Sequence, residues 1–88
     1  MDISSQSIVE RIARVLAGQR VSANAEGDEE SAARIVDDRW RDYLVDAVAV
    51  LRTMREPDEA MAAAGDAAIW ERMILTALDQ AKPETVVL

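Results

Sequence analysis

Three aspartates, Asp38, Asp42 and Asp46, recur at intervals of four, with Asp37 beside the first. On a helix that spacing stacks the three on one ridge. Aligned carboxylates are the raw material of a Mg²⁺ site, completed by acids from another helix or another subunit, as in helical nucleotide hydrolases. The rest of the chain narrows the chemistry to that option. It has no Cys and no His, which removes thiolate nucleophiles, Cys-ligated metals and every Ser-His-Asp arrangement. Ser4, Ser5, Ser7, Thr53 and Thr76 have no base within reach by sequence. Helical phosphohydrolases carry Glu-rich E-x-x-E spacing with a second acidic pair. Here Glu26 and Glu29 give that spacing, but in an expected loop. The ladder therefore reads first as a solvated face, with Arg34 at i, i+4 to Asp38 and with Arg39 and Arg41 alongside. The expectation is no catalytic residue, no metal and no cofactor. A Mg²⁺-dependent hydrolase built on Asp38, Asp42 and Asp46 is the alternative.

The same face carries aliphatic residues, Ile35, Val45 and Ala49. Several exposed aliphatics on adjoining faces mark a partner surface. Ile35, Asp38, Asp42, Val45 and Asp46 together form the candidate interaction surface. Charge bounds the partner. Ten Lys and Arg against 17 Asp and Glu give a net charge of −7. That excess disfavours direct binding to nucleic acid or anionic lipid, which needs clustered cations. It leaves room for an acidic protein that mimics nucleic acid or inhibits a basic partner. No run approaches the roughly 18 to 20 apolar residues that span a bilayer. The opening Met-Asp-Ile-Ser-Ser is not a signal-peptide start. The chain reads as cytoplasmic and non-membrane.

The elements that position these residues are helical, with no alternating run long enough for a sheet. A first helix is expected from Ser4 to Ala17, with Ile8, Ile12, Val15 and Leu16 inward and Val9 widening the stripe. Glu10 and Arg14 fall on its opposite face, and Gly18 stops it. Residues 19–30 read as a loop. One long helix follows from Asp28 to Arg55, roughly 40 Å in length. Its stripe runs through Ala33, Val36, Trp40, Tyr43, Leu44, Ala47, Val48, Leu51 and Met54. Glu56-Pro57 ends it, and Pro57 fits the first position of a short helix that Gly65 either closes or carries on as one bent helix. Asp66 caps the last helix, Ala67 to Ala81, whose stripe is Trp70, Met73, Ile74, Ala77, Leu78 and Ala81. Lys82-Pro83 stops that helix, and residues 83–88 form a tail ending Val86-Val87-Leu88.

Met54-Arg55-Glu56-Pro57-Asp58-Glu59-Ala60-Met61, then Ala64-Gly65, lead into Trp70, Met73-Ile74 and Ala77-Leu78. With Val9-Glu10-Arg11-Ile12-Ala13-Arg14 in the first helix, this pattern resembles a group of short uncharacterised helical proteins of proteobacteria and their phages or prophages. Their mark is an M-R-E-P-x-x-A-M turn and a closing W-x-x-M-I-x-x-A-L helix. The resemblance covers the first helix and residues 54–78. It implies a bacterial or phage source, and it carries no reaction, ligand or site with it.

The expected architecture is one all-α domain over residues 1–88, a small bundle of three main helices plus a short helix at the Pro57 corner. The expected function is a non-enzymatic protein-interaction domain of unknown partner. A spine of roughly 40 Å outruns its roughly 20 Å neighbours, leaving Ala32, Val36 or Met54 facing water. A homodimer with Ile35 or Val45 in its interface would cover that deficit.

Overall fold

The computed structural model describes residues 3–24 and 29–81. All regular structure among them is helical: α1 Ile8–Asn24, α2 Glu29–Arg39, a 3-10 turn Trp40–Tyr43, α3 Leu44–Met54, α4 Glu59–Ala64 and α5 Ala67–Gln80. The class is the expected all-α bundle, but its long members differ. None of these helices is long and apolar enough to cross a membrane. The Lys82-Pro83 stop, the 83–88 tail and residues 25–28 of the expected loop lie outside the described residues.

The first helix starts later and runs further than its sequence suggests. The Ser7 Oγ accepts the Glu10 N–H at 3.1 Å, so Ser7 rather than Ser4 caps α1, as in the S-x-x-E start signal. The helix then passes through Gly18 to Asn24, so residues 19–24 are helix and not loop. Packing outweighs the propensity cost of glycine here. A Cβ built on Gly18 would lie 3.8 Å from Val36 Cγ2 of α2, so α2 approaches where α1 carries no side chain.

The expected single spine is broken. Arg39 at φ −113°, ψ −9° and Tyr43 at φ −104°, ψ 9° bracket the 3-10 turn. Both sit in the sparse bridge region between helix and strand. A 3-10 step turns about 120° against about 100° for an α-helical step, so four such steps rotate α3 by about 80° relative to a straight continuation of α2. The break lets α2, the turn and α3 all pack along α1. A straight helix would cross α1 and then diverge from it. Ala32, Val36 and Met54 are consequently half-buried instead of facing water.

The core is Val9 and Ala13 of α1, Ala47 and Leu51 of α3, and Ile74 and Ala77 of α5, with Ala17 also buried. Leu51 is the largest side chain to be fully buried. The sequence stripe misplaces several residues. Val15, Ala33 and Met73 are exposed, while Ala13 and Ala17 take the centre of the α1 face. Trp40 and Trp70 are half-buried and flank the core.

The Pro57 corner forms as two separate short-range stops. Pro57 is not the first helical residue; Asp58 stands between it and α4 as the cap, accepting the Met61 N–H at 2.9 Å. Gly65 breaks the chain between α4 and α5. Asp66 then accepts the Ala68 and Ile69 N–H groups at 2.9 and 3.1 Å. The Trp70 indole N–H donates to the Met54 carbonyl at 2.6 Å. That carbonyl is one of the last in α3, which intrahelical bonds leave unmatched. Arg55 pairs with Glu71 at 3.1 Å beside it. The M-R-E-P turn is thus a latch that seats α5 on the end of α3.

Candidate functional site

The aspartate ladder does not assemble. Asp38 ends α2, Asp42 lies in the 3-10 turn and Asp46 sits in the first turn of α3. All three are exposed. Among the described residues, no three His, Cys, Asp or Glu come close enough to share a metal ion. Nor do the described residues show the expected Arg34–Asp38 pair. The rigid i, i+4 spacing needed an unbroken helix, and the turn at Trp40–Tyr43 removes it.

The acid that engages is the flanking one. Arg14 Nε donates to Glu10 Oε2 at 2.9 Å, and its Nη1 donates to Asp37 Oδ1 at 2.6 Å. The Arg14 guanidinium lies 5.3 Å from the Trp40 ring centroid, and that of Arg41 lies 4.5 Å from it. Hydrogen bonds from Arg14 to Asp37, and then to Glu10, raise the guanidinium pKa above its ordinary value. The face of α1 expected to meet solvent therefore meets α2 and the turn. The guanidinium, the two carboxylates and the indole engage one another here. They act as a clamp between α1 and the middle of the chain.

Ile35 and Val45 are exposed as expected, at 41% and 81%. In sequence they are interspersed with Asp37, Asp38, Asp42 and Asp46 and with Arg34, Arg39 and Arg41. Two further apolar surfaces lie elsewhere. Ile8, Ile12, Val15 and Leu16 of α1 and Val50 of α3 line a groove of about 420 Å³. Arg11 and Gln19 are its polar members, and it contains no carboxylate. Val15 is 58% exposed within it. At the corner, Pro57, Met61, Asp66, Ile69, Trp70 and Met73 line a groove of about 220 Å³. Met73 is 62% exposed, with Met61 and Ile69 a little under half.

A signal for the first groove was present. The apolar stripe of α1 is too wide for one packing partner, since Ile8 and Val15 lie well away from Ala13 and Ala17 at 100° per residue. The corner gave no such signal, because Met73 falls on the same periodic stripe as the buried Ile74 and Ala77. No family model, curated protein or solved structure matches the chain.

Proposed function

We propose that this chain is a non-enzymatic protein-interaction domain that works as a homodimer and, on the resemblance of its Met54–Met61 turn, is of bacterial or phage origin. One observation carries the reading. Seven apolar residues are buried and four of those are alanines, while nine large apolar side chains are exposed among the described residues. A domain of this size buries a smaller share of its surface than a larger one and is correspondingly marginal. A core made largely of Ala makes it more so, because each alanine buries little area. Apolar surface withheld from the interior becomes stabilising when a second copy covers it.

Charge favours the α1–α3 groove as the interface. A chain of net charge −7 repels its own copy wherever carboxylates face each other. The groove of Ile8, Ile12, Val15 and Val50 holds none, and its one charged member is Arg11. An interface through Ile35 and Val45 would lie beside exposed aspartates of the same stretch, Asp38 and Asp46 among them, and would need arginines of the other copy to offset them.

Light scattering at about 100 μM on the parent, Val15→Glu and Val45→Glu tests the reading. The expected results are a dimeric parent, a monomeric Val15→Glu and a dimeric Val45→Glu. A monomeric parent would sink the dimer. A dimer broken only by Val45→Glu would move the interface to the Ile35–Val45 face.

A further inference from the structure

We infer that the α4–α5 corner is a docking groove for a basic amphipathic helix of another protein. The inference rests on the reading of the chain as an interaction domain, but not on the dimer.

Three features of the corner select that occupant. First, its apolar lining is adaptable. Met61 from α4 and Met73 from α5 present flexible, polarizable thioethers beside Ile69 and Trp70. Methionine-rich grooves accept helical ligands because they repack around different anchors. Second, the groove is open. Every residue of α4 is exposed, so no element of this chain covers it among the described residues. Third, the segment that builds the corner is acidic, although Arg55 and Arg72 flank it and Arg11 shares a neighbouring groove with Met73. Residues 56–71 contain five carboxylates, Glu56, Asp58, Glu59, Asp66 and Glu71, and no Lys or Arg. Glu71 is taken by Arg55, and Asp58 and Asp66 cap helices. Glu56 and Glu59 meet no cation among the described residues.

The same charge argues against a second copy here, since two such corners would set acid against acid. A helix with aliphatic anchors on one side and Lys or Arg on the other satisfies both requirements. Its apolar side fills the Met61–Ile69–Met73 groove, and its basic flank answers the exposed Glu56 and Glu59, which lie, respectively, next to the lining residue Pro57 and two before Met61 in the chain. The opposed charges steer the encounter and fix the orientation, while the apolar anchors supply most of the affinity.

The test uses three synthetic helical peptides with the same leucine face and with Lys, Gln or Glu on the polar face. Each is titrated into the full chain and followed by methionine-methyl NMR. The expected result is that the Met61 and Met73 methyl signals shift with the Lys peptide while Met54 stays in place. The Lys peptide should bind at least about tenfold more tightly than the Gln peptide at low salt, and the gap should close near 0.5 M salt. Glu56→Lys with Glu59→Lys spares both caps and should erase the preference for Lys. Met73→Gln should weaken all binding, with an unchanged circular-dichroism melt confirming that the fold is intact. Equal binding of the Lys and Glu peptides would overturn the proposal. So would shifts confined to residues outside the corner, or no shift at about 0.5 mM peptide. The titration is repeated on Val15→Glu. Binding by that variant separates this site from the dimer, so either proposal can fail alone.

Discussion

Replacing Gly18 with alanine should stabilise the fold, and the sign of the effect decides between two local structures. Gly18 lies inside a 17-residue helix, α1, six residues before its end at Asn24. In a helix interior, Gly→Ala gains about 0.8 to 1 kcal/mol, largely because glycine has more backbone freedom to lose on folding. The new methyl does not clash. It would stand 3.8 Å from Val36 Cγ2, an ordinary van der Waals contact, and would bury a fraction of the roughly 0.8 kcal/mol of a fully covered methylene. The sum is about 1 kcal/mol, or a rise of about 4 to 8 °C in Tm for a domain of this size. Had Gly18 closed a helix in the left-handed conformation, the same substitution would cost about 1 kcal/mol and lower Tm by a similar amount. Circular-dichroism melts of both proteins at matched concentration measure the difference, since association makes Tm depend on concentration. An unchanged or lower Tm would refute the continuous α1 and its packing against Val36.

Leu51→Ala removes the largest fully buried side chain and should cost about 2 to 5 kcal/mol; urea unfolding should show the midpoint falling or the native baseline lost altogether. Asp66→Ala strips two backbone N–H partners from the start of α5 and should cost about 1 kcal/mol, while Asp66→Asn should nearly restore the parent midpoint in the same assay. Arg14→Gln releases Asp37, so amide exchange should quicken in α2 and remain at the parent rate in α5. Because the Arg14 pKa is raised, its contribution is complete below its ordinary pKa and fades only as pH climbs through the raised value. The stability difference between parent and Arg14→Gln should therefore stay flat from neutral pH to about pH 10.

Short-range signals in the sequence are legible where each stop is chemical. Asp66 as a cap and the Pro57 corner follow from groups that hydrogen-bond or constrain their own neighbours, whereas Gly65 is compatible with a break or a bend until the structure shows the break. Signals that depend on tertiary packing were not legible. Gly18 continues a helix because α2 lies against it. Trp40-Arg41-Asp42-Tyr43 contains neither Gly nor Pro, so nothing local announces the 3-10 turn. Its partners, Arg14 above all, are distant in sequence. The break also decided the candidate surface. Ile35 and Val45 proved exposed, yet the ladder of Asp38, Asp42 and Asp46 depended on a continuous helical period that the chain abandons in the middle. At the corner, periodicity identified the face bearing Met73 and Ile74, but it could not say how far along that face a neighbour extends. Coverage depends on where other elements end.

The Trp70–Met54 latch also bears on how quickly the chain finds this fold. It joins residues 16 apart, whereas Val9 and Ile74 meet in the core from opposite ends of the described chain. Closing the longer loop costs about 1.2 kcal/mol more in chain entropy, from the logarithm of the two lengths. The latch is thus cheaper to close than the α1–α5 contact, and about as cheap as the approach of Gly18 to Val36, whose residues are 18 apart. Trp70→Phe, which deletes the indole N–H, should then mainly slow folding, whereas Val9→Ala should mainly hasten unfolding. A stopped-flow chevron on each variant separates the two. Equal partition of both changes between the limbs would mean that latch and core close together.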